Sequence, residues 1–430
     1  MRIIHLTPGT GSFHCGSCLR DHTLIKALRV RKHDAIMVPL YLPLVTDGVP
    51  TNPEIDIKVG GISLYLAQKT PTVAKLLPAF AHRWLNSRER LKKISAKIGL
   101  TSAKDLGEMT LGSLLGKDSP QWREWQNLID WMLTEPKPEI ISLSNSLLTG
   151  LAPELKKAFP ESKIIVSLQG EDSFLDSLPD PYRVEAWTTL RRNADAVDCF
   201  ISPSEYYAKH MQKRVGYADD RMAVVHNGVD LTPFPSADPD PNWPTIGFFA
   251  RLIEGKGLGQ LVDAFIAIAK AGNVPRVKLK VGGACTLADE PYINQLKAKL
   301  EEAGLSKRVD WQPNLSFKDK VRFFRDLTVF SVPATYGEAF GLYLIEAMAC
   351  GIPVVQPAHG AFPELIERTG GGVVVAPDDA QALTQALESM LLDHVRRDEI
   401  SRVATPATRQ YFSAHEMTDR FEAMLQQVMG

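Results

Sequence analysis

Short apolar runs of five to eight residues recur along the chain and alternate with stretches of helical spacing. They include residues 3–7 (IIHLT), 35–42 (AIMVPLYL), 139–144 (EIISLS), 163–168 (KIIVSL), 199–203 (CFISP), 245–250 (TIGFFA), 277–283 (VKLKVGG), 327–333 (LTVFSVP) and 353–357 (PVVQP). Such runs are too short for buried helices and too continuous for half-exposed strands. Interleaved with helices, they predict parallel sheets connected by crossover helices. Prolines crowd residues 231–244, where neither helix nor strand can persist, so a stiff linker is predicted there between two doubly wound domains. The expected layout is a first domain over 1–230, the linker over 231–244, a second domain over 245–407, and a closing helical segment over 408–430.

Residues 50–130 depart from this alternation and read as a helical insertion in the first domain. Within it, 83–104 carries Arg83, Arg88, Arg90, Lys92, Lys93, Lys97 and Lys104 against the single acid Glu89. A solvated helix face accounts for this run. So does peripheral contact with an anionic membrane surface or an anionic acceptor.

At 430 residues the chain suits two domains of about 200 residues each. Its formal net charge of -1 supplies no field for a polyanion, so nucleic acid is not an expected partner. No uninterrupted apolar stretch is long enough to span a bilayer, and the first residues read as a buried strand, not a secretory leader. A cytoplasmic protein is expected, with contact at the inner face of the membrane through 83–104 as the variant on that theme. The five cysteines, Cys15, Cys18, Cys199, Cys285 and Cys350, are odd in number and scattered, which argues against a disulfide framework.

Candidate chemistry concentrates between residues 336 and 355. Glu338 and Glu346 stand eight positions apart around a glycine turn that feeds a short helix and then a strand. Backbone N–H groups at Phe340, Gly341 and Leu342 would face outward at the helix start, where the dipole favours an anion. On a regular helix the two carboxylates would lie about 12 Å apart along its axis, flanking that anion site. This spacing suits a nucleoside diphosphate sugar, with one Glu on the sugar hydroxyls and the other on the ribose. Some ninety residues earlier, Arg251 and Lys256 fall on a strand-to-helix loop at the carboxyl edge of a sheet, where open α/β folds bind ligands. Together they can neutralise a diphosphate.

These two signatures, Arg251 with Lys256 and Glu338 with Glu346, resemble the donor site of family 4 retaining glycosyltransferases of the GT-B fold. The resemblance is weak at the start of the chain and strong from about residue 220. It includes His226-Asn227-Gly228-Val229-Asp230, which is similar to the family's domain-linking turn. It implies two Rossmann-like domains facing across a cleft, with the closing helix returning to the first. It also implies transfer of a sugar from a nucleotide-sugar co-substrate with no separate cofactor and no metal, Arg251, Lys256 and Glu338 acting at the reacting centre. Gly282, Gly283 and Gln312 are assigned to phosphate and base by family position, and Glu346 to the ribose. The departing phosphate oxygen would take the acceptor's proton, so no protein base is required.

The first loop contains Gly9, Gly11 and Gly16, which the resemblance places over the diphosphate although the spacing departs from the commoner double-glycine form. A dinucleotide fingerprint fails there, since His14 stands where glycine is needed. His14, Cys15, Cys18 and His22 have the residue types for a thiol pair or a zinc site but lack a distant second ligand pair. Gln169, Glu171 and Asp172 follow another strand. Gln169 can hydrogen-bond the transferred sugar, and the two acids can bind acceptor hydroxyls or take a proton; capping the next helix explains the acids equally well. Alternatives to the transferase are another GT-B enzyme, such as a sugar-nucleotide epimerase or a glycogen-type synthase, a catalytically silent relative, and a redox or zinc protein using Cys15 and Cys18. The donor, the acceptor and the oligomeric state are not legible.

Overall fold

A computed structural model describes residues 1–9, 16–41 and 103–430. Gly11, His14, Cys15 and the side chains of the basic stretch 83–104 lie outside the described residues. The chain divides into two compact units: Met1–His226 with Thr418–Gly430, and Asn227–Met417.

The first unit is built on six parallel strands: β1 (Arg2–Thr7), β2 (Asp34–Pro39), β3 (Ile140–Leu143), β4 (Lys163–Ser167), β5 (Cys199–Ser202) and β6 (Met222–Val224). Their order is β2-β1-β3-β4-β5-β6. Ile3 pairs with Ile140 and Leu6 with Leu143 across the centre. Consecutive residues of β3 and β4 are buried, as strands covered by helices on both faces must be. The chain runs outward from β1 to β2 and then crosses back to β3, so the direction of winding reverses between β1 and β3. The last turns of the helix Ala414–Met429 belong to this unit: Glu422 accepts from Arg31 at 2.6 Å and lies 2.9 Å from His33 Nε2.

The second unit has strands β7 (Thr245–Phe249), β8 (Lys278–Gly283), β9 (Val309–Pro313), β10 (Val329–Phe330), β11 (Val354–Pro357) and β12 (Gly372–Val375). All are parallel, in the order β12-β11-β10-β7-β8-β9. Here the winding reverses between β7 and β10, and the loops leaving those two strands flank the crevice where such sheets take ligands. The proline-rich stretch 231–244 belongs to this unit and packs on it. Ala237 N–H donates to Cys350 O at 2.7 Å, Arg409 donates to the carbonyls of Leu231 and Phe234, and Phe234 is buried against Phe317 and Phe324. No helix among the described residues is long and apolar enough to cross a membrane.

Candidate functional site

The loop after β7 carries Arg251 and a single 3-10 turn, Glu254–Lys256, before the helix Leu258–Ala271. The loop after β10 runs beside it, tied by Thr335 N–H donating to Gly255 O at 3.0 Å. This brings Lys256 onto Glu338: the ammonium donates to Glu338 Oε2, and Tyr343 O–H donates to the same oxygen at 2.9 Å. The ammonium also lies 5.0 Å from the Tyr336 ring and 5.7 Å from the Tyr343 ring, within cation–π reach. Burial pulls the Lys256 pKa down, but the Glu338 carboxylate and Tyr336 more than offset this and hold it above the ordinary lysine value. The Tyr343 hydroxyl is pushed well above its usual range, by burial first and the Glu338 charge second. Arg251 is different: its side chain is 54% exposed and its carboxylate neighbour, Asp289, is 3.7 Å away. The two cations expected to act as a pair thus have separate partners.

Glu338 stands before the helix, not on it. Gly341 is the N-cap of the helix Leu342–Ala349 with φ 104°, so the chain turns sharply between the two acids. This corrects the helical spacing expected for them; only Glu346 is helical. The Glu338 backbone is clamped instead by Ala361 N–H, which donates to Glu338 O at 2.9 Å. Gly360 makes the close approach possible, since a Cβ there would sit 2.3 Å from both Glu338 N and O. Of the first-turn amides that follow Gly341, Leu344 N–H donates back to Gly341 O at 3.0 Å, while those of Leu342 and Tyr343 have no acceptor inside the helix. Phe340 is buried, with its ring 5.7 Å from that of Phe412.

Glu346 is only 1% exposed, and Lys320 from the helix Phe317–Arg325 donates to its Oε1. Its Oε2 is buried with no hydrogen-bond partner. Burial raises the Glu346 pKa, and the Lys320 charge offsets this only in part. Lys320 went unnoticed in the sequence, yet a signal was there. In an amphipathic helix it stands three and four positions before the buried Phe323 and Phe324, a lone lysine on the apolar face.

Gly282 and Gly283 end β8, where a Cβ on Gly283 would come within 1.7 Å of Ala250 O, so this glycine lets the β7 loop pass close over the strand. Gln312, on the edge strand β9, donates its side-chain amide to Asp310 at 2.6 Å.

In the first unit, Gly9 and Gly16 bracket the loop after β1, and Cys18 is buried with its thiol donating to Gly9 O at 3.4 Å. After β4, Glu171 accepts from Ser146 N–H at 2.8 Å and from Gln169 N–H at 2.7 Å, tying the β3 and β4 loops together. Burial raises its pKa and those amide bonds offset part of the rise. Both Glu171 oxygens are therefore committed to backbone. Asp172 accepts from Tyr207 O–H at 2.8 Å and lies 3.0 Å from His210 Nε2. The Gln169 side-chain nitrogen is buried and unpartnered. Beneath these loops is a polar cluster that sequence reasoning missed. Arg20 Nη1 donates to Asp21 Oδ1 at 2.8 Å and to Ser167 Oγ at 3.0 Å, Ser144 donates to Asp21 Oδ2, and His5 Nε2 lies 3.2 Å from that same oxygen. Among the described residues no three His, Cys, Asp or Glu side chains form a group that could hold a metal ion.

The loops that leave β7 and β10 thus meet at the crevice of a doubly wound sheet and carry the Lys256–Glu338 pair. Two family models match in succession: Glycosyltransferase Family 4 over residues 111–233 and Glycosyl transferases group 1 over residues 234–405. The chain belongs to glycosyltransferase family 4. It is 31% identical over 206 residues to a D-inositol 3-phosphate glycosyltransferase of Mycobacterium sp. (strain JLS), covering 46% of this chain and 45% of that protein. It is 30% identical over 253 residues to the putative colanic acid biosynthesis glycosyltransferase WcaL of Escherichia coli (strain K12), covering 57% and 59%. The matched region spans about half the length of these curated relatives. Among solved structures, sucrose-phosphate synthase from Thermosynechococcus elongatus superposes with a TM-score of 0.72 at 17% identity, covering 100% of this chain and 99% of that one. Anabaena Alr3699/HepE, in complex with UDP and glucose, gives 0.68 at 18% identity, covering 99% of each. At such identities the likeness is one of fold, and the fold is GT-B.

Proposed function

We propose that this chain is a retaining glycosyltransferase that moves a hexosyl group from a nucleoside diphosphate sugar to a hydroxyl acceptor without a metal. The observation that carries the reading is Glu346, a buried carboxylate with one oxygen held by Lys320 and the other unpartnered, beside the Gly341 turn and the Lys256–Glu338 pair. A ribose hydroxyl donating to Oε2 would satisfy a group that is otherwise costly to bury. Glu338 takes hydroxyls of the transferred sugar. Arg251, Lys256 and the amides at Phe340, Gly341 and Leu342 hold the diphosphate, with Gly282, Gly283 and Gln312 near phosphate and base. As the bond from the anomeric carbon to the phosphate oxygen breaks, the electron pair passes to that oxygen. These fixed cations and dipoles stabilise the developing charge, and the same oxygen takes the proton of the attacking hydroxyl. Gly9, Gly11 and Gly16 are assigned to the donor on the family resemblance alone. Gln169, with its unpartnered amide, and Asp172 serve the sugar and acceptor, while Glu171 holds their loop. The acceptor is a saccharide, a lipid-linked saccharide or a small molecule.

Calorimetric titration with UDP, GDP and ADP tests this reading, using the unaltered protein, Glu346→Ala and Arg251→Ala. Micromolar binding of one diphosphate, weakened in both variants and indifferent to magnesium, supports it and names the donor's base. Absence of binding by all three would sink it.

A further inference from the structure

We propose that Lys320 is a positioning residue for donor recognition: it keeps Glu346 an ionised acceptor and turns the unpartnered Oε2 toward a ribose hydroxyl. The inference rests on the nucleotide-sugar reading above. Lys320 Nζ reaches Glu346 Oε1 from a neighbouring helix, and both groups are withdrawn from water, at 13% and 1% side-chain exposure. The ammonium also lies 5.3 Å from the ring of Phe249, at the end of β7, within cation–π reach. The helix carrying Lys320 is fixed at its start by Ser316, which accepts from Asp319 N–H.

An isolated carboxyl in such surroundings takes up a proton, because burial disfavours its charged form. A protonated carboxyl is a weaker acceptor for a hydroxyl than a carboxylate, and its own O–H competes for direction. The other charged or titratable groups near Glu346 do not replace Lys320. Cys350, one turn along the same helix, has a thiol pushed up to about 12 by burial first and the Glu346 charge second. Arg409, from the helix His394–Tyr411, spends its donors on the carbonyls of Leu231, Phe234 and Ala349. Lys320 is the cation that bonds the carboxylate directly.

The test is the affinity of whichever of UDP, GDP or ADP binds the unaltered protein, and of its 2′-deoxy and 3′-deoxy counterparts. It is measured from about pH 6 to 9 in Lys320→Met, Lys320→Arg and the double variant Lys320→Met with Glu346→Gln. Lys320→Met should bind about tenfold to 100-fold more weakly at neutral pH, the range for losing a hydrogen bond to a charged group. Affinity relative to the unaltered protein, whose own profile follows the ionisation of the ligand's terminal phosphate, should recover as pH rises and Glu346 ionises unaided. Lys320→Arg should restore most of the binding. One of the two deoxy ligands should bind the unaltered protein poorly yet lose little further in Lys320→Met. The double variant, which buries no charge at this position, should bind weakly with no pH dependence beyond that of the unaltered protein and controls for folding. Unaltered affinity and pH profile in Lys320→Met would overturn this inference alone, as would an equal loss for ribose and both deoxy ligands. Failure of the unaltered protein to bind any diphosphate would overturn the functional reading and this inference with it.

Discussion

Lys256 and Glu338, eighty-two positions apart in the chain, form an ion pair between the two loops that leave β7 and β10. These are the loops at which the winding of the second sheet reverses. On the proposed donor reading, the cation assigned to the diphosphate is neutralised until ligand arrives, and its partner carboxylate is the one assigned to the sugar. Donor binding would exchange a bond inside the protein for bonds to both halves of the ligand.

Arg251 and Lys256 should therefore respond differently to substitution. Lys256→Met leaves the Glu338 charge largely buried, with Tyr343 as its remaining donor, and should cost about 2–4 kcal/mol of unfolding free energy. Arg251→Ala removes a half-exposed side chain with a 3.7 Å ion contact and should change stability by less than about 0.5 kcal/mol. Both should lower transfer turnover on the order of 100-fold, as for removal of one donor to a developing anion. Urea unfolding of each variant, beside turnover assays, checks the contrast; equal loss of stability in both would refute it.

Gly360→Ala should damage the site from outside it. The residue has φ +59°, and its added Cβ would collide with the Glu338 backbone. The clamp formed by Ala361 N–H on Glu338 O would open, costing about 1–3 kcal/mol and displacing the carboxylate that holds Lys256. The expected readout is loss of turnover with diphosphate affinity reduced less, because the Glu346–Lys320 pair takes no part in this clamp.

The nine apolar runs each coincide with a strand: eight are central parallel strands, buried on both faces and apolar throughout, and the ninth is the edge strand β2, which is also mostly buried. Three edge strands, β6, β9 and β12, were not among them: their residues are mostly half-exposed, so burial imposes no run. At the candidate site, Glu338, Glu346, Arg251 and Lys256 could be singled out by residue type and position around the loops. Their pairing was not, since it depends on the path of two loops distant in sequence and on a left-handed turn at Gly341. Lys320 and the Asp21 cluster were harder still. A buried ion pair has no local periodicity, and only the partner's position reveals that a charge on an apolar face is satisfied.

The Asp21 cluster should set the acid limit of the first unit. Burial alone would raise the Asp21 pKa, but His5 and then Arg20 outweigh it and bring the value below the ordinary aspartate range. A depressed folded pKa stabilises the native state fully above the unfolded value, and that contribution drains away as pH falls through the folded one. Asp21→Asn should thus cost about 3 kcal/mol or more near pH 7 by leaving Arg20 buried without its anion. The gap from the unaltered protein should narrow as pH falls below about 4. Denaturant unfolding at several pH values checks both parts; a gap independent of pH would mean that Asp21 contributes by shape alone.

Thiol chemistry gives the last prediction, because the four described cysteines differ in access. Cys18, Cys199 and Cys350 are buried, while Cys285, just beyond β8, is partly exposed. The thiols of Cys199 and Cys350 are both pushed up to about 12, by burial first and then by a nearby acid, Asp198 or Glu346. The thiolate is the reactive form, so neither should react at neutral pH in the folded protein. Cys285 is also raised, by burial and then Asp289 and Glu290, which should make it slow but reachable. Labelling with a small disulfide reagent, read by peptide mass, should modify Cys285 first among these four and reach Cys199 and Cys350 only on unfolding. Saturating nucleoside diphosphate should leave Cys199 and Cys350 equally protected. Fast labelling of Cys350 in the folded state would show that the helix carrying Glu346 opens readily, and would undercut the fixed geometry on which the donor site depends.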